Sequence, residues 1–280
     1  MRFTLRHLTR YAYSRPVFLE PHTFRLTPRQ DACQRVLAHE LRINPAPAGR
    51  FEGTDAEGNP FVQAWFDGLT ETLTVEALTT AETLRANPFG FLLDDAACRV
   101  PPAFAPAEER ALAPCLRTDA ADDAVAALTG SLLDRSDGRG LDFLLELNAW
   151  IFGNVAKVIR REPGILAPAT VCRERRGACR DSAVLFIACC RRAGIPARFV
   201  SGYQSGDDAQ DKRDLHAWAE AYLPGAGWLG LDPTHGLLTA DRHLALAASH
   251  DPAQTAPAQG AFRGTDATAT LTHTLTLTVE

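Results

Sequence analysis

The sequence predicts an α+β protein in which an N-terminal antiparallel β-sandwich is followed by helices packed on an antiparallel sheet. Short strand-like runs separated by turn-rich stretches fill residues 1–100, which is typical of a sandwich. Apolar residues then recur at spacings of three and four between residues 141 and 159, which indicates a helix. Three further strand-like runs, at residues 197–204, 216–223 and 228–231, predict a meander against which a preceding helix can pack.

The composition argues against several classes of protein. With 280 residues, 46% of them hydrophobic, the chain can bury a substantial core and more readily forms two domains than one. A formal net charge of −5 does not favour nucleic acid binding. No apolar run approaches the roughly 20 residues of a membrane-spanning helix, and the N-terminus lacks an apolar core of the signal-peptide type. We therefore expect a cytoplasmic protein with no nucleic acid or membrane partner, whose oligomeric state the sequence does not indicate.

Changes in composition divide the chain into four segments. Residues 1–100 form the predicted β-sandwich, which we interpret as a scaffold or as part of a substrate surface. Residues 101–117 are rich in Pro and Ala and are predicted to be a linker. Residues 118–248 form the domain that carries the chemistry, and residues 249–280 form a tail. The Thr/Leu alternation of Thr268–Glu280 predicts a strand that returns to the β-domain; the alternative is an exposed edge that pairs with a second subunit.

The strands of the β-domain follow from alternation and turn residues. The first strand begins at Phe3 and continues through Tyr13. The others are predicted at Thr23–Leu26, Val36–Ile43, Phe61–Phe66 and Glu71–Glu76.

Helices are predicted at three places in the second domain. Asp119–Leu133 begins on acidic residues that suit a helix N-terminus, and Leu141–Ile159 carries an apolar stripe in which Trp150 and Phe152 are interpreted as packing residues. Ala183–Cys190 is apolar on all sides, so this helix is expected to be buried.

Cys179 is the candidate nucleophile because it is predicted in the first turn of this buried helix. Unpaired N–H groups and the positive end of the helix dipole stabilise a thiolate in the first turn of a helix. Arg176 and Arg180 add positive charge, and Gly177 allows a sharp turn into the helix. The backbone N–H of Cys179 is a candidate oxyanion donor. The alternative is a small buried apolar side chain, the usual fate of a free cysteine.

The other six cysteines show no comparable pattern. Cys189 and Cys190 are expected in the core, and Cys190 is too far along the helix from Cys179 to form a disulfide with it. Cys172 is a weaker candidate as a redox partner. Seven irregularly spaced cysteines suit neither a disulfide framework nor a zinc site, so no metal or other cofactor is predicted.

His216 and Asp232 are the candidate base and its orienting carboxylate. They can meet on neighbouring strands, but only in one register. A three-residue loop at residues 224–226 places Asp232 diagonal to His216 on the same face, whereas a four-residue loop sends it to the other face. A catalytic Asp232 therefore requires the odd-numbered loop or a bulge. The same register predicts that Glu220 lies on the helix-facing side as a buried structural carboxylate.

Three further polar residues near the site are assigned lesser roles. His235 is close enough to line the site but, without an assigned partner, is expected at the surface. Ser182 lacks the sharp turn of a serine nucleophile. Asp181 suits an acid that caps N–H groups in the first helical turn.

Four stretches resemble the transglutaminase-like superfamily, in its bacterial branch of transglutaminase-like proteins and candidate cysteine proteases. They are GACRDSA with the apolar helix, RAGIPARFVSGY, DLHAWAEAYLPGAGW and GLDPTHG. The run HLTRYAYSRPVFLEPHTFRLTPR looks like the N-terminal β-domain of this branch, and GAFRG resembles its tail. The resemblance therefore covers most of the chain.

This resemblance implies a papain-like core and a Cys–His–Asp triad at Cys179, His216 and Asp232. It further implies a thiolate that attacks a carboxamide of a peptide or protein substrate, giving a thioester that water or an amine resolves. No stretch matches the calcium-dependent animal enzymes, so calcium is not implied. The triad does not distinguish hydrolysis from amine transfer, and we favour hydrolysis because water is always present. The rival hypothesis is a binding or scaffold protein that keeps the fold without turnover.

Overall fold

The computed structural model describes residues 1–118, 122–160, 162–206 and 214–280. Six strands form the first part of the chain: β1 (Arg2–Leu19), β2 (His22–Phe24), β3 (Gln34–Asn44), β4 (Gly49–Thr54), β5 (Pro60–Trp65) and β6 (Leu69–Thr83). The second part contains α1 (Pro106–Leu112), α2 (Asp123–Arg135), α3 (Gly140–Asn154), β7 (Ala156–Lys157), α4 (Pro168–Glu174), β8 (Arg176–Gly177) and α5 (Cys179–Arg192). It continues with β9 (Ala197–Gln204), β10 (His216–Leu223), β11 (Gly227–Asp232), β12 (Leu237–Leu238), β13 (His243–Ser249), β14 (Ala258–Gln259), β15 (Phe262–Arg263) and β16 (Ala269–Val279).

The N-terminal β-domain consists of two antiparallel sheets that enclose a common apolar core, so the predicted sandwich is confirmed. One sheet has the order β15-β1-β6-β3, and β16 pairs with β1; the other has the order β14-β2-β5-β4. Side chains alternate along β6, where Leu73, Val75, Ala77 and Ala81 are buried between exposed or half-buried neighbours. The tail strand β16 pairs with β1 from Phe3 to Tyr13.

β4 is a strand that the sequence reasoning missed. It forms the edge of its sheet, and its aromatic residue, Phe51, is 55% exposed. An edge strand with little buried surface carries almost no hydrophobic alternation, which is the signal that predicts strands.

The second domain places helices on one face of a five-stranded antiparallel sheet with the order β12-β11-β10-β9-β13. The buried helix α5 packs on β10 and β9 and shares a core with α2, α3 and α4. This α+β arrangement is the predicted fold class. Strand β13, however, was not predicted, although it pairs with β9 along most of its length.

Two helices differ in length from their predictions. α3 ends at Asn154, five residues before the predicted end, because Ala156 and Lys157 leave the helix to pair in parallel with Arg176 and Gly177. α2 begins at Asp123, with the Asp122 carboxylate accepting the N–H groups of the first turn. The predicted start at Asp119 lies outside the described residues.

The segment between the domains is structured. It holds α1 and a 3₁₀ turn at Ala113–Leu116, with Leu112 and Cys115 buried. The Tyr222 hydroxyl donates a hydrogen bond to Glu108 of α1, which ties this segment to the second sheet. None of the helices in the described part of the chain is long and apolar enough to cross a membrane.

The β-domain packs directly against the sheet of the second domain. Tyr203, Leu244 and Leu246, from β9 and β13, belong to the apolar core of the β-domain. Two buried amides reinforce this contact: the side chain of Asn59 exchanges hydrogen bonds with the backbone of Ala248, and that of Gln34 does so with the backbone of Ala245. β13 is therefore held on one side by β9 and on the other by the β-domain.

Candidate active site

Cys179 is the first residue of α5, as the sequence predicted. Within the described chain, no backbone or side-chain acceptor receives its N–H, which leaves that donor available. Its sulfur lies near the imidazole of His216 and the backbone N–H groups of Arg180 and Ala217, all of which lower its pKa. The nucleophile is thus fixed at the junction of a helix N-terminus and the beginning of β10.

The buried carboxylate of Asp181 stabilises the N-terminus of α5. It is fully buried and accepts hydrogen bonds from Arg160 at 2.8 and 2.9 Å, and from the backbone N–H groups of Leu166 and Ala178 at 2.8 Å. The predicted capping role is therefore observed together with a buried ion pair. Gly177 is required for close approach, because an added Cβ would lie 2.9 Å from Cβ of Asp181.

His216 and Asp232 meet in the register that the odd-numbered loop requires. Leu223 pairs with Gly227, so residues 224–226 form a three-residue hairpin loop. This register places Asp232 opposite Trp218 and diagonal to His216, and Nε2 of His216 donates a hydrogen bond to Oδ2 of Asp232 at 2.8 Å. With Nε2 engaged, Nδ1 is the ring nitrogen left to face Cys179.

Two further histidines converge on the same carboxylate oxygen. Nδ1 of His235 lies 2.8 Å and Nε2 of His243 lies 3.0 Å from Oδ2 of Asp232, while Oδ1 accepts the Thr234 N–H at 3.0 Å. Asp232 itself is fully buried. Sequence reasoning considered His235 a surface residue and gave His243 no role. The Asp232–His235 spacing of three residues is the only sequence signal that could have identified either one.

The environment shifts the pKa values of all three predicted residues. Burial by itself raises the pKa of Cys179, but the hydrogen bond and charge of His216, with two backbone N–H groups, lower it below its ordinary value. Burial by itself lowers the pKa of His216, but Asp232 and Cys179 raise it to about 9. Burial opposes the charge on Asp232 too, yet three histidine N–H groups hold its pKa well below the usual range. These directions favour a thiolate–imidazolium pair.

The histidines of the site differ in their charge state. Burial lowers the pKa of His243, and its Nδ1 is a buried atom with no hydrogen-bond partner among the described residues. His243 is therefore neutral and donates from Nε2. Nε2 of His235 lies 3.4 Å from the ammonium of Lys157, which can only donate, so the hydrogen bond of His235 to Asp232 is made through Nδ1.

The donor atoms of His216, Asp232 and His243 lie within 4.8 Å of one another, a spacing that a metal ion could bridge. Both imidazoles, however, direct a ring nitrogen at the carboxylate at hydrogen-bond distance. We interpret the group as a hydrogen-bond network, because a metal would have to displace both N–H protons.

The remaining candidates lie outside this network. Cys189 and Cys190 are fully buried, and burial raises the pKa of both thiols. Cys172 contacts the Ala124 carbonyl, and all seven cysteines are free. The prediction for Glu220 was wrong: its neighbours Ala219 and Ala221 face the helices, whereas Glu220 lies on the opposite face, half-buried, with Arg198 at 2.6 Å. A concavity of about 400 Å³ lies in the β-domain, remote from Cys179.

Comparison with known proteins agrees with this architecture. Residues 3–82 match the bacterial transglutaminase-like N-terminal region, and residues 127–233 match the transglutaminase-like superfamily. An uncharacterised protein of Mycobacterium tuberculosis is 30% identical over 92% of this chain and 87% of its own length. A protein-glutamine gamma-glutamyltransferase of Pseudomonas aeruginosa is 41% identical over 68 residues, which cover 22% of this chain and 10% of that protein.

The chain thus belongs to the transglutaminase-like superfamily, a family of cysteine-dependent enzymes. Its first domain is the bacterial transglutaminase-like N-terminal region. Among solved structures, a candidate cysteine protease from Cytophaga hutchinsonii shares the fold, with a TM-score of 0.70 at 21% identity over 99% of this chain and 92% of that one.

Proposed function

We propose that this protein cleaves amide bonds of a peptide or protein substrate, either a peptide bond or a glutamine carboxamide, with Cys179 as nucleophile. The observation that supports this most strongly is the hydrogen bond of His216 to the buried Asp232, made by the same imidazole that lowers the pKa of Cys179. A buried carboxylate that orients an imidazole, which in turn contacts a thiol at a helix N-terminus, is the arrangement that activates cysteine nucleophiles.

In the first half-reaction the Cys179 thiolate attacks the carbonyl carbon, and the C=O electron pair moves to oxygen. We assign the N–H of Cys179, which has no acceptor among the described residues, as a donor to this oxyanion. His216 then gives its Nδ1 proton to the departing nitrogen, the C–N bond breaks, and ammonia or an amine leaves. A thioester on Cys179 and a neutral His216 remain.

In the second half-reaction His216 accepts a proton from the incoming nucleophile. Water attack forms a new C–O bond, breaks the C–S bond and releases a carboxylic acid; amine attack releases a new amide. Either route restores the thiolate and the imidazolium. We propose hydrolysis as the main route, since water needs no binding site. We further propose that the protein works in a reducing cytoplasmic compartment, because its seven cysteines are free thiols.

The test is a screen of glutamine-containing peptides with and without a primary amine acceptor. Release of ammonia or cleavage products without amine indicates hydrolysis, and incorporation of the amine indicates transfer. Acyl-enzyme formation, detected by intact mass, is expected to disappear in Cys179→Ala. Activity that persists in Cys179→Ala would rule out Cys179 as the nucleophile. A wild type that neither turns over a substrate nor shows an activated thiol would instead be a binding or scaffold member of its family.

A further inference from the structure

A lysine lies at the edge of the proposed site and has no carboxylate partner in the described part of the chain. Lys157 lies on β7, directly opposite Gly177 of β8, two residues before the nucleophile. Its ammonium is 3.4 Å from Nε2 of His235, and the His235 ring lies 5.0 Å from the His216 ring. The contact with His235 therefore holds the positive charge of Lys157 next to the network that contains the nucleophile.

Several cations of this region have no carboxylate partner among the described residues. No carboxylate oxygen of the described residues lies within 4 Å of Lys157, Arg175 or Arg176. Arg175 instead places its guanidinium 4.2 Å from the centre of the Trp150 ring. The described residues between 154 and 181 include six Lys or Arg but three Asp or Glu, although the whole chain carries a net charge of −5. The segment that leads to the proposed nucleophile thus carries an excess of positive charge.

An exposed aromatic ring borders the same region. Phe152, near the end of α3, is 56% exposed. It covers Gly236, the residue after His235, so closely that an added Cβ there would lie 2.9 Å from the ring. Phe152 therefore packs through one edge of its ring, as predicted, while the rest of the ring is exposed to solvent. An aromatic surface beside a cation is suited to an extended peptide whose side chain is acidic.

We propose that the site prefers substrates that carry a carboxylate close to the attacked carbonyl, as in an acidic peptide, and that Lys157 binds this carboxylate. This inference rests on the proposed function. An ammonium has three N–H donors, of which His235 occupies one, so two remain for a ligand oxygen. Lys157 is thus a specificity residue and takes no part in bond breaking.

The experiment compares two alkylating probes that differ in charge. Iodoacetate and iodoacetamide form the same C–S bond and expel the same iodide, but only iodoacetate carries a carboxylate next to the reacting carbon. The alkylation rates of Cys179 are measured by peptide mapping with each probe, and the exposed thiol of Cys98 serves as the internal reference. The readout is the ratio of the iodoacetate rate to the iodoacetamide rate at Cys179.

Four variants isolate the role of the charge. In Lys157→Gln the ratio is expected to fall about fivefold, the effect of one unit charge at contact distance in water, and in Lys157→Glu it falls further. Lys157→Arg keeps the ratio because it keeps the charge. Arg15→Gln, an exposed position in β1, makes the same change in net charge and leaves the ratio unchanged. High salt reduces the wild-type ratio more than that of Lys157→Gln.

An unchanged ratio in Lys157→Gln, or an equal fall in Lys157→Arg or Arg15→Gln, overturns the inference. This failure is distinct from a failure of the proposed function. If the proposed function is wrong, Cys179 of the wild type reacts with iodoacetamide only near pH 8.5, as an ordinary thiol does.

Discussion

His216 and Asp232 lie on adjacent antiparallel strands, and a three-residue loop sets Nε2 of one 2.8 Å from Oδ2 of the other. The loop length determines which face Asp232 occupies, because one residue more in the turn would reverse the direction of every side chain in β11. The chemistry proposed for Cys179 therefore depends on the geometry of a turn more than 40 residues away in sequence.

Asp232→Asn is expected to weaken the ion pair at Cys179. The neutral amide cannot stabilise an imidazolium at His216, so the thiolate at Cys179 loses its counter-charge at low pH. A hydrogen bond to a charged group contributes about 1.5–3 kcal/mol, so alkylation of Cys179 by iodoacetamide should fall about 10- to 100-fold at pH 6. At pH 9 the rate should change little. An equal loss at both pH values, or none, would contradict the role of Asp232.

The pH dependence of the wild type follows from the pKa shifts at the site. The pKa of Cys179 is lowered, so its alkylation should begin below the pH near 8.5 at which an ordinary thiol reacts. Turnover also needs the proton of His216, whose pKa is raised to about 9, and should decline as pH rises through that value. Alkylation and turnover profiles are therefore expected to share their acid limb and to separate on the basic side. A Cys179 profile that matches that of Cys98 would exclude an activated thiol.

His243→Leu is expected to lower the free energy of unfolding by about 2 kcal/mol, since it removes one of the N–H donors of a buried carboxylate. His243→Gln keeps a donor near the position of Nε2 and should recover most of this loss. Urea unfolding measures both variants. His250→Leu is a matched control, because that histidine binds Glu57 at a more exposed position. Equal stability of His243→Leu and the wild type would show that the contact contributes nothing.

Local patterns in the sequence predicted the elements that carry the site, but not the packing around it. The apolar run after Cys179 and the spacing of His216 and Asp232 identified the three candidates, but two loop lengths remained possible until the pairing of Leu223 with Gly227 was seen. His243 could not be found in this way, because it belongs to β13, three positions from β11 in the sheet. Its approach to Asp232 depends on tertiary contacts that no spacing encodes. The face of Glu220 was assigned incorrectly, since the sequence does not show which side of the sheet the helices cover.

Asp181→Ala is expected to cost about 3–5 kcal/mol, the usual effect of breaking a buried ion pair. The substitution leaves Arg160 and two backbone N–H groups without their acceptor at the beginning of α5. Because those groups position Cys179, its alkylation rate should also fall in the molecules that remain folded. Arg135→Ala removes an exposed ion pair with Glu146 and serves as the control, with an expected effect below about 1 kcal/mol. Similar losses in the two variants would contradict a special role for Asp181.

Gly202→Ala is expected to destabilise the sheet next to His216. Gly202 pairs with His216 across β9 and β10, and an added Cβ would lie 2.3 Å from the Leu244 carbonyl oxygen and 2.6 Å from the Trp218 ring. Overpacking of this kind costs about 1–3 kcal/mol. Trp218 stacks on His216, so displacement of its ring should also reduce the reactivity of Cys179 at pH 6.

Gly130 lies within α2, where an added Cβ meets nothing within 4 Å. Its replacement by alanine should therefore raise the free energy of unfolding by about 0.5–1 kcal/mol, since glycine loses more backbone entropy on folding. Urea unfolding of both variants, with iodoacetamide labelling at pH 6, separates the two effects. Because the Leu244 carbonyl belongs to a backbone held by both β9 and the β-domain, it cannot yield as a flexible side chain would. A Gly202→Ala protein of wild-type stability and reactivity would show that β13 moves independently of the β-domain.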